Sequence, residues 1–201
     1  MAAHAPAAGH TLETNTGLDN RKLLMWFFLA SDCLFFGSFI AAYLLYRDRN
    51  VNGPYQDELY DIPFTSVSSF VLLMSSLTMV LALSAIQKGD LRKMRVWLIA
   101  TALLGLTFLA GQAFEFTEFW DHGLHLDTNL FGTTFFVLTG FHGAHVAVGV
   151  LILLSLTYAS AVGKLGEGDS LAVEIGGLYW HFVDIVWIVI FTLVYLIQPS
   201  G

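Results

Sequence analysis

The segment Tyr179-Trp180-His181-Phe182-Val183-Asp184-Ile185-Val186-Trp187 sets a histidine and an aspartate one helical turn apart in an otherwise apolar, tryptophan-rich stretch. The apolar run around it, 178–197, is about 20 residues, the length that crosses a bilayer core. A charged group near the centre of such a span costs roughly 2.5–3.5 kcal/mol on insertion scales, so ionisable residues survive there by facing protein and finding partners. His181 and Asp184 can pair directly at i, i+3, or each can reach a neighbouring helix. A structural hydrogen-bond network is the expectation.

Three further sets of polar residues lie in apolar surroundings. Asp32 stands nine residues into an apolar run that starts at Leu23, about 14 Å deep at ~1.5 Å per residue, with Leu29, Phe36 and Phe39 on its face. It reads either as a proton-handling or lipid-contacting acid or as one end of an interhelical hydrogen bond. His142 and His145 are spaced i, i+3 beside Gly140, Gly143 and Ala144, which thin the helix surface so that another helix can approach. Such a pair can ligate a metal or haem, but no matching set of thiolates accompanies it, and satisfaction of polar groups across a helix interface is the favoured reading. Glu115 and Glu118 end the third apolar run, with His122 and His125 following. A di-iron bundle needs a Glu-x-x-His element on each of two helices, which this chain lacks, so contact with a partner's basic groups at the membrane edge is expected.

The elements that must position these residues follow from composition. The 201 residues are 56% hydrophobic and only 12% charged, with 17 Phe and 5 Trp, a balance typical of an integral membrane protein. The net charge of −7 rests on acids in connecting segments and suggests no nucleic-acid partner. The single cysteine, Cys33, excludes an internal disulfide and multi-thiolate metal sites. Five apolar runs, at about 23–46, 64–86, 96–114, 130–158 and 178–197, are each long enough to span. In lipid an isolated span is helical, because its backbone polar groups must pair internally. Turn signals separate the runs: Pro54 and Pro63, Gly89-Asp90, and the glycines from 163 to 168.

The expected architecture is therefore all-α, an integral membrane bundle of five transmembrane helices over 22–198, preceded by a polar N-terminal tail, 1–21, with no signal-peptide pattern. Seven basic residues (Arg21, Lys22, Lys88, Arg92, Lys93, Arg95, Lys164) fall on the N-terminal side and two (Arg47, Arg49) on the other. The positive-inside rule then puts the N-terminus in the cytoplasm and the C-terminus outside.

Three ordered stretches carry a family resemblance: Gln112-Ala113-Phe114-Glu115-Phe116, the run from Gly132 through Thr139-Gly140-Phe141-His142-Gly143-Ala144-His145 to Val146, and Tyr179 to Trp187. Over 22–195 the chain resembles subunit III of the haem-copper respiratory oxidases. The resemblance implies a bacterial plasma-membrane protein without haem or copper of its own, both being expected in partner subunits. It implies packing beside catalytic subunit I, with subunit II and membrane lipids as further partners and a respiratory supercomplex as a wider assembly. It also implies structural phospholipid in a cleft between helices, and support of oxygen access and proton uptake. Asp32, in Ser31-Asp32, falls where many members carry a membrane-buried Glu after Ser. Glu115, His142, His145, His181 and Asp184 match the family's recurrent polar positions.

The resemblance has two departures. The long form has seven helices, the first two forming one arm of the lipid cleft, whereas this chain keeps the last five. Ser31-Asp32-Cys33 looks like the quinol-oxidising branch, while Gly132-Thr133-Thr134-Phe135-Phe136 and Thr139-Gly140-Phe141 look like the cytochrome c branch. The resulting expectation is subunit III of a cytochrome c oxidase, with a quinol oxidase as the alternative. Two readings from other classes stand beside it: a haem- or di-iron-containing membrane enzyme ligated by His142, His145 and His181, and a proton-coupled transporter using Asp32 and Asp184. Against the transporter, the chain shows no repeat and no pair of broken helices.

Overall fold

In a computed structural model the described residues are 17, 19–47, 62–125 and 129–197. The expected N-terminal tail up to residue 16, together with Arg49 and Pro54, lies outside them. Five helices are long and apolar enough to cross a membrane: α1 (Asn20–Tyr46), α2 (Ile62–Gln87), α3 (Leu91–Asp121), α4 (Leu130–Ala161) and α5 (Ser170–Phe191). α5 follows a short 3-10 turn at Glu167–Asp169 and continues as a π-helical turn over Thr192–Leu196. No strand occurs among the described residues.

The helix ends differ from the apolar runs. α3 extends seven residues past 114, to Asp121, and α5 begins at Ser170, eight residues before the run at 178. Hydropathy falls at the charged residues, but backbone i→i−4 bonding does not depend on side-chain polarity, so the helices run on beyond the bilayer core. Glu115 consequently lies inside α3, while Glu118 falls in its last turn, its carbonyl accepting from the His122 N–H. Local chemistry sets the true starts. Asp19 caps α1 by accepting from the Arg21 N–H, Asp90 caps α3 by accepting from the Lys93 N–H, and Asn129 caps α4 by accepting from the Gly132 N–H. Gly89, at φ 75°, supplies the left-handed step that lets α2 reverse into α3.

α2, α3, α4 and α5 form a closed ring in which each packs on the next and α5 returns to α2. α1 lies outside this ring, against α4 and α5. α5 closes the ring with two indoles. Trp180 Nε1 donates to Ser75 Oγ and Trp187 Nε1 donates to Ser69 Oγ, both at 2.8 Å, from α5 to α2. Trp180 fits because two glycines make room: a Cβ on Gly105 of α3 would stand 2.5 Å from the indole, and one on Gly149 of α4 would stand 2.8 Å from it. Trp187 packs edge-on to Phe108 at 4.7 Å and stacks on His142 at 4.9 Å.

Gly149→Ala is expected to destabilise the bundle by about 1–3 kcal/mol through overpacking against Trp180. The Gly149→Ala/Trp180→Phe double variant should fall short of the sum of the two single losses, read by unfolding titrations in detergent micelles. A second test uses Asp90, whose carboxyl is held below the usual value of 3.8, chiefly by the Lys93 backbone N–H and then by the Lys93 side chain. A depressed carboxylate stabilises above its ordinary range and loses that contribution as pH falls through its folded value. Asp90→Ala should therefore lower the unfolding temperature at pH 7, and the gap from the unsubstituted protein should close in acid below 3.8.

Candidate functional site

Polar groups at bilayer depth gather in separate places, not in one network. The first lies between α1, α4 and α5. Asp32 Oδ2 stands 3.6 Å from His145 Nε2, beyond hydrogen-bond length but within ion-pair reach. His145 Nδ1 lies 2.7 Å from the Phe141 carbonyl, one turn back in α4. A carbonyl only accepts, so Nδ1 carries a proton and Nε2 is the atom turned toward the carboxyl. The Tyr179 hydroxyl of α5 donates to the His145 carbonyl at 3.0 Å, and Phe36 covers the imidazole at 4.9 Å. Asp32 Oδ2 is buried without a hydrogen-bond partner among the described residues.

The second lies mid-span between α2 and α5. Ser76 Oγ bonds both to His181 Nδ1, at 3.0 Å, and to Asp184 Oδ2. His181 and Asp184 thus meet through a serine of the neighbouring helix and not directly. Asp184 is buried and its Oδ1 has no hydrogen-bond partner among the described residues, whereas His181 is half-buried.

The third is a carboxylate inside the ring, near the end where α2 begins and α3 finishes. Thr65 of α2 donates to Glu115 Oε1 at 2.8 Å, and the Tyr195 hydroxyl of the π-helical turn also reaches Glu115. Glu118, one turn on, is exposed, and its backbone carbonyl lies 2.8 Å from His122 Nδ1. Glu115 is therefore engaged within the chain, while Glu118 is exposed at that end.

His142 stands apart from all three. It is fully buried among Phe36, Phe108 and Trp187, and neither ring nitrogen has a hydrogen-bond partner among the described residues. His142 faces the ring's interior and His145 faces α1, so the i, i+3 pair does not converge on one point. Among the described residues no three His, Cys, Asp or Glu side chains are grouped to hold a metal ion.

The cytochrome c oxidase subunit III family model matches residues 53–198. Cytochrome c oxidase subunit 3 of Bacillus sp. (strain PS3) is 38% identical over 197 residues, 98% of this chain and 93% of that protein. Cytochrome c oxidase subunit 3 of Alkalihalophilus pseudofirmus is 37% identical over 90% of this chain and 89% of that protein. Quinol oxidase subunit 3 of Bacillus spizizenii is 35% identical over 88% of this chain and 86% of that protein. The chain belongs to the cytochrome c oxidase subunit III family. It is a multi-pass bacterial membrane protein and a subunit III of a haem-copper oxidase.

Within this subunit III, sequence reasoning found the acids and imidazoles and missed what they touch. Ser76, Thr65 and Tyr195 were silent because serine, threonine and tyrosine barely alter hydropathy. The usable signal was the unusual density of hydroxyls in α2, with Thr65, Ser66, Ser68, Ser69, Ser75 and Ser76 all within one span. Lys22–Glu174, at 2.5 Å, was missed because Glu174 lies ahead of the fifth apolar run although it is within α5.

Ser76→Ala and Asp184→Ala should each cost about 1–3 kcal/mol by stranding the groups they pair. The double variant should cost clearly less than the sum in a detergent unfolding cycle, since both remove the same contact.

Proposed function

We propose that this chain is the non-catalytic subunit III of a cytochrome c oxidase that reduces oxygen to water with proton translocation. In that role it carries no redox centre and packs beside catalytic subunit I and subunit II. The observation that carries the reading is the similarity, at 38% identity over nearly its whole length, to a protein named cytochrome c oxidase subunit 3. The donor set agrees with a supporting role, because its acids and imidazoles are dispersed among different helix pairs, with Glu115, His181 and His145 bonded to a threonine, a serine and a backbone carbonyl.

This reading includes three supporting contributions. The Asp32–His145 contact is suited to holding one proton near bilayer depth, on the side where α1 meets α4. An apolar groove of about 430 Å³ between α3 and α4, walled by Phe116, Trp120, Phe136, Val137 and Phe141, has the chemistry of a phospholipid acyl-chain site. Its dry, aromatic lining equally favours apolar oxygen over water. A quinol oxidase is the second reading, favoured by Ser31-Asp32-Cys33 and by the 35% identity to quinol oxidase subunit 3 of Bacillus spizizenii.

Copurification decides the reading. The chain purified alone should lack a haem absorption band, and in mild detergent it should retain a haem-bearing partner. A copper-thiolate subunit in that complex identifies the cytochrome c enzyme, and its absence identifies the quinol enzyme. Stoichiometric haem or iron on the isolated chain would overturn the supporting role. Asp32→Asn, which keeps the side-chain shape, should leave subunit retention intact and slow proton uptake several-fold, measured with a pH indicator after rapid mixing with oxygen. Unchanged uptake would remove Asp32 from proton handling.

A further inference from the structure

The contacts of Ser76 leave a proton to be placed. Its Oγ carries one hydrogen and bonds two neighbours, His181 Nδ1 at 3.0 Å and Asp184 Oδ2, so one of them must donate to it. Two arrangements with a neutral imidazole fit the same heavy atoms. In the first, Asp184 is a neutral acid whose O–H donates to Ser76, Ser76 donates to Nδ1, and the imidazole proton sits on Nε2. In the second, Asp184 is a carboxylate accepting from Ser76, Nδ1–H donates to Ser76, and Nε2 is bare. The two differ by one proton. A doubly protonated imidazole beside the carboxylate would place two charges in the seam where the first arrangement places none.

The surroundings favour the first as the resting form. Asp184 is 3% exposed, its Oδ1 has no hydrogen-bond partner among the described residues, and α2 contains no ionisable side chain. The titratable groups that α1 and α4 bring toward α5 are placed elsewhere: Lys22 on Glu174, Asp32 beside His145, and His142 against Trp187. An ionised Asp184 would keep one bare oxygen and no counter-charge, whereas the neutral acid uses its only donor. His181 is differently placed. It lies on the outward stripe Glu174–Leu178–His181–Ile185, seven positions and about 10 Å along α5 from the Lys22–Glu174 pair. Its Nε2 has no partner among the described residues and, unlike Asp184 Oδ1, is not enclosed.

We propose that Asp184, Ser76 and His181 form a proton-binding site that fills and empties through His181 Nε2. In release, Nε2 passes its proton to a water or lipid-headgroup oxygen, Nδ1 takes the Ser76 proton, and Ser76 takes the Asp184 proton. That leaves the carboxylate and the Nδ1–H tautomer, which is the second arrangement. Loading reverses each transfer. Both forms use the same contacts, so the site changes from neutral to singly negative within a fixed α2–α5 seam. It is separate from the Asp32–His145 contact and works alike in a cytochrome c or a quinol oxidase.

The test follows the carbonyl stretch of protonated carboxyls by infrared spectroscopy at neutral pH, in the protein purified with the partners it retains and returned to lipid vesicles. The expected result is a carboxylic-acid band that Asp184→Asn removes and Asp32→Asn does not, and that shifts on transfer to heavy water. Ser76→Ala and His181→Phe should each slow that deuterium shift several-fold, and Ser76→Thr, which keeps the hydroxyl, should restore most of the rate. Simple loosening of the α2–α5 seam would speed exchange, so the direction of the change separates a relay from a packing role. Absence of an acid band assignable to Asp184, or an unchanged or faster shift in either Ser76→Ala or His181→Phe, would overturn the site. Histidine nitrogen NMR of the unsubstituted protein is a second measurement. It should find His181 protonated on Nε2 alone, and a proton on Nδ1 at neutral pH would also overturn the site. None of these readouts needs a haem-bearing partner, so their failure leaves the subunit III role standing, and failed copurification leaves the proton site standing.

Discussion

The fold depends on two indole–hydroxyl hydrogen bonds that tie the last helix to the second. A chain of consecutive hairpins makes α2–α3, α3–α4 and α4–α5 neighbours by connectivity, and only α5–α2 must be won by chemistry. Without that contact the four helices would form an open layer with α2 and α5 as its edges. Trp180 and Trp187 close it, each placing an N–H on a serine hydroxyl of α2. The serines are prepared for this. Ser75 and Ser69 spend their own protons on carbonyls of α2, at Leu72 and Thr65, and so present lone pairs to the indoles. In hydrocarbon such bonds are worth about 0.6–2 kcal/mol each, and there is no hydrophobic driving force between helices to substitute for them.

Closure also explains where the small residues fall. Trp180 can sit at the ring's centre only because Gly105 and Gly149 leave no side chains in its path, and a Cβ on Gly143 would meet the Gln112 amide at 2.4 Å. That amide donates to the Thr139 carbonyl at 2.7 Å, linking α3 to α4 on the turn next to His142. Close backbone approach and interhelical hydrogen bonding thus support each other along one axis of the ring. The interior they enclose is dry enough to hold His142 against three aromatic rings. Glu115, His181, Asp184 and His145 each find a threonine, a serine or a backbone carbonyl between the helices.

The number and placement of spans were legible in the sequence because 20-residue apolar runs have few alternatives in lipid. The helix ends were not. Charged residues end a hydropathy window without ending a helix, and α3 accordingly carries Glu115 inside the protein where the apolar run suggested an edge. The acids and histidines of the polar seams stood out because each is expensive at depth. Their pairing did not, because it depends on which helix faces which, and that information is spread across all five spans. His181 and Asp184 looked like a pair by spacing, whereas the residue that joins them is Ser76, more than 100 positions away. The i, i+3 spacing of His142 and His145 likewise did not reveal that one faces the ring and the other faces α1.

α1 obeys a different rule from the ring. Only three of its residues, Leu29, Phe36 and Tyr43, are buried, against eleven in α5, so packing area alone holds it weakly. Its attachment is instead pinned at three heights. Lys22 meets Glu174 at 2.5 Å near the start of α1, Phe35 and Phe39 pack on Phe141 in the middle, and Arg47 donates to the Ile197 carbonyl at 3.2 Å at the far end. The Asp32–His145 contact lies between the first two of these pins, on the seam that α1 makes with α4. A weakly buried helix carrying that carboxylate can shift relative to the ring at lower cost than any ring helix, since no closing indole bond is broken. The geometry at Asp32 is therefore the part of this subunit most open to influence from whatever covers the outer face of α1, where Leu24, Phe27 and Leu34 remain exposed.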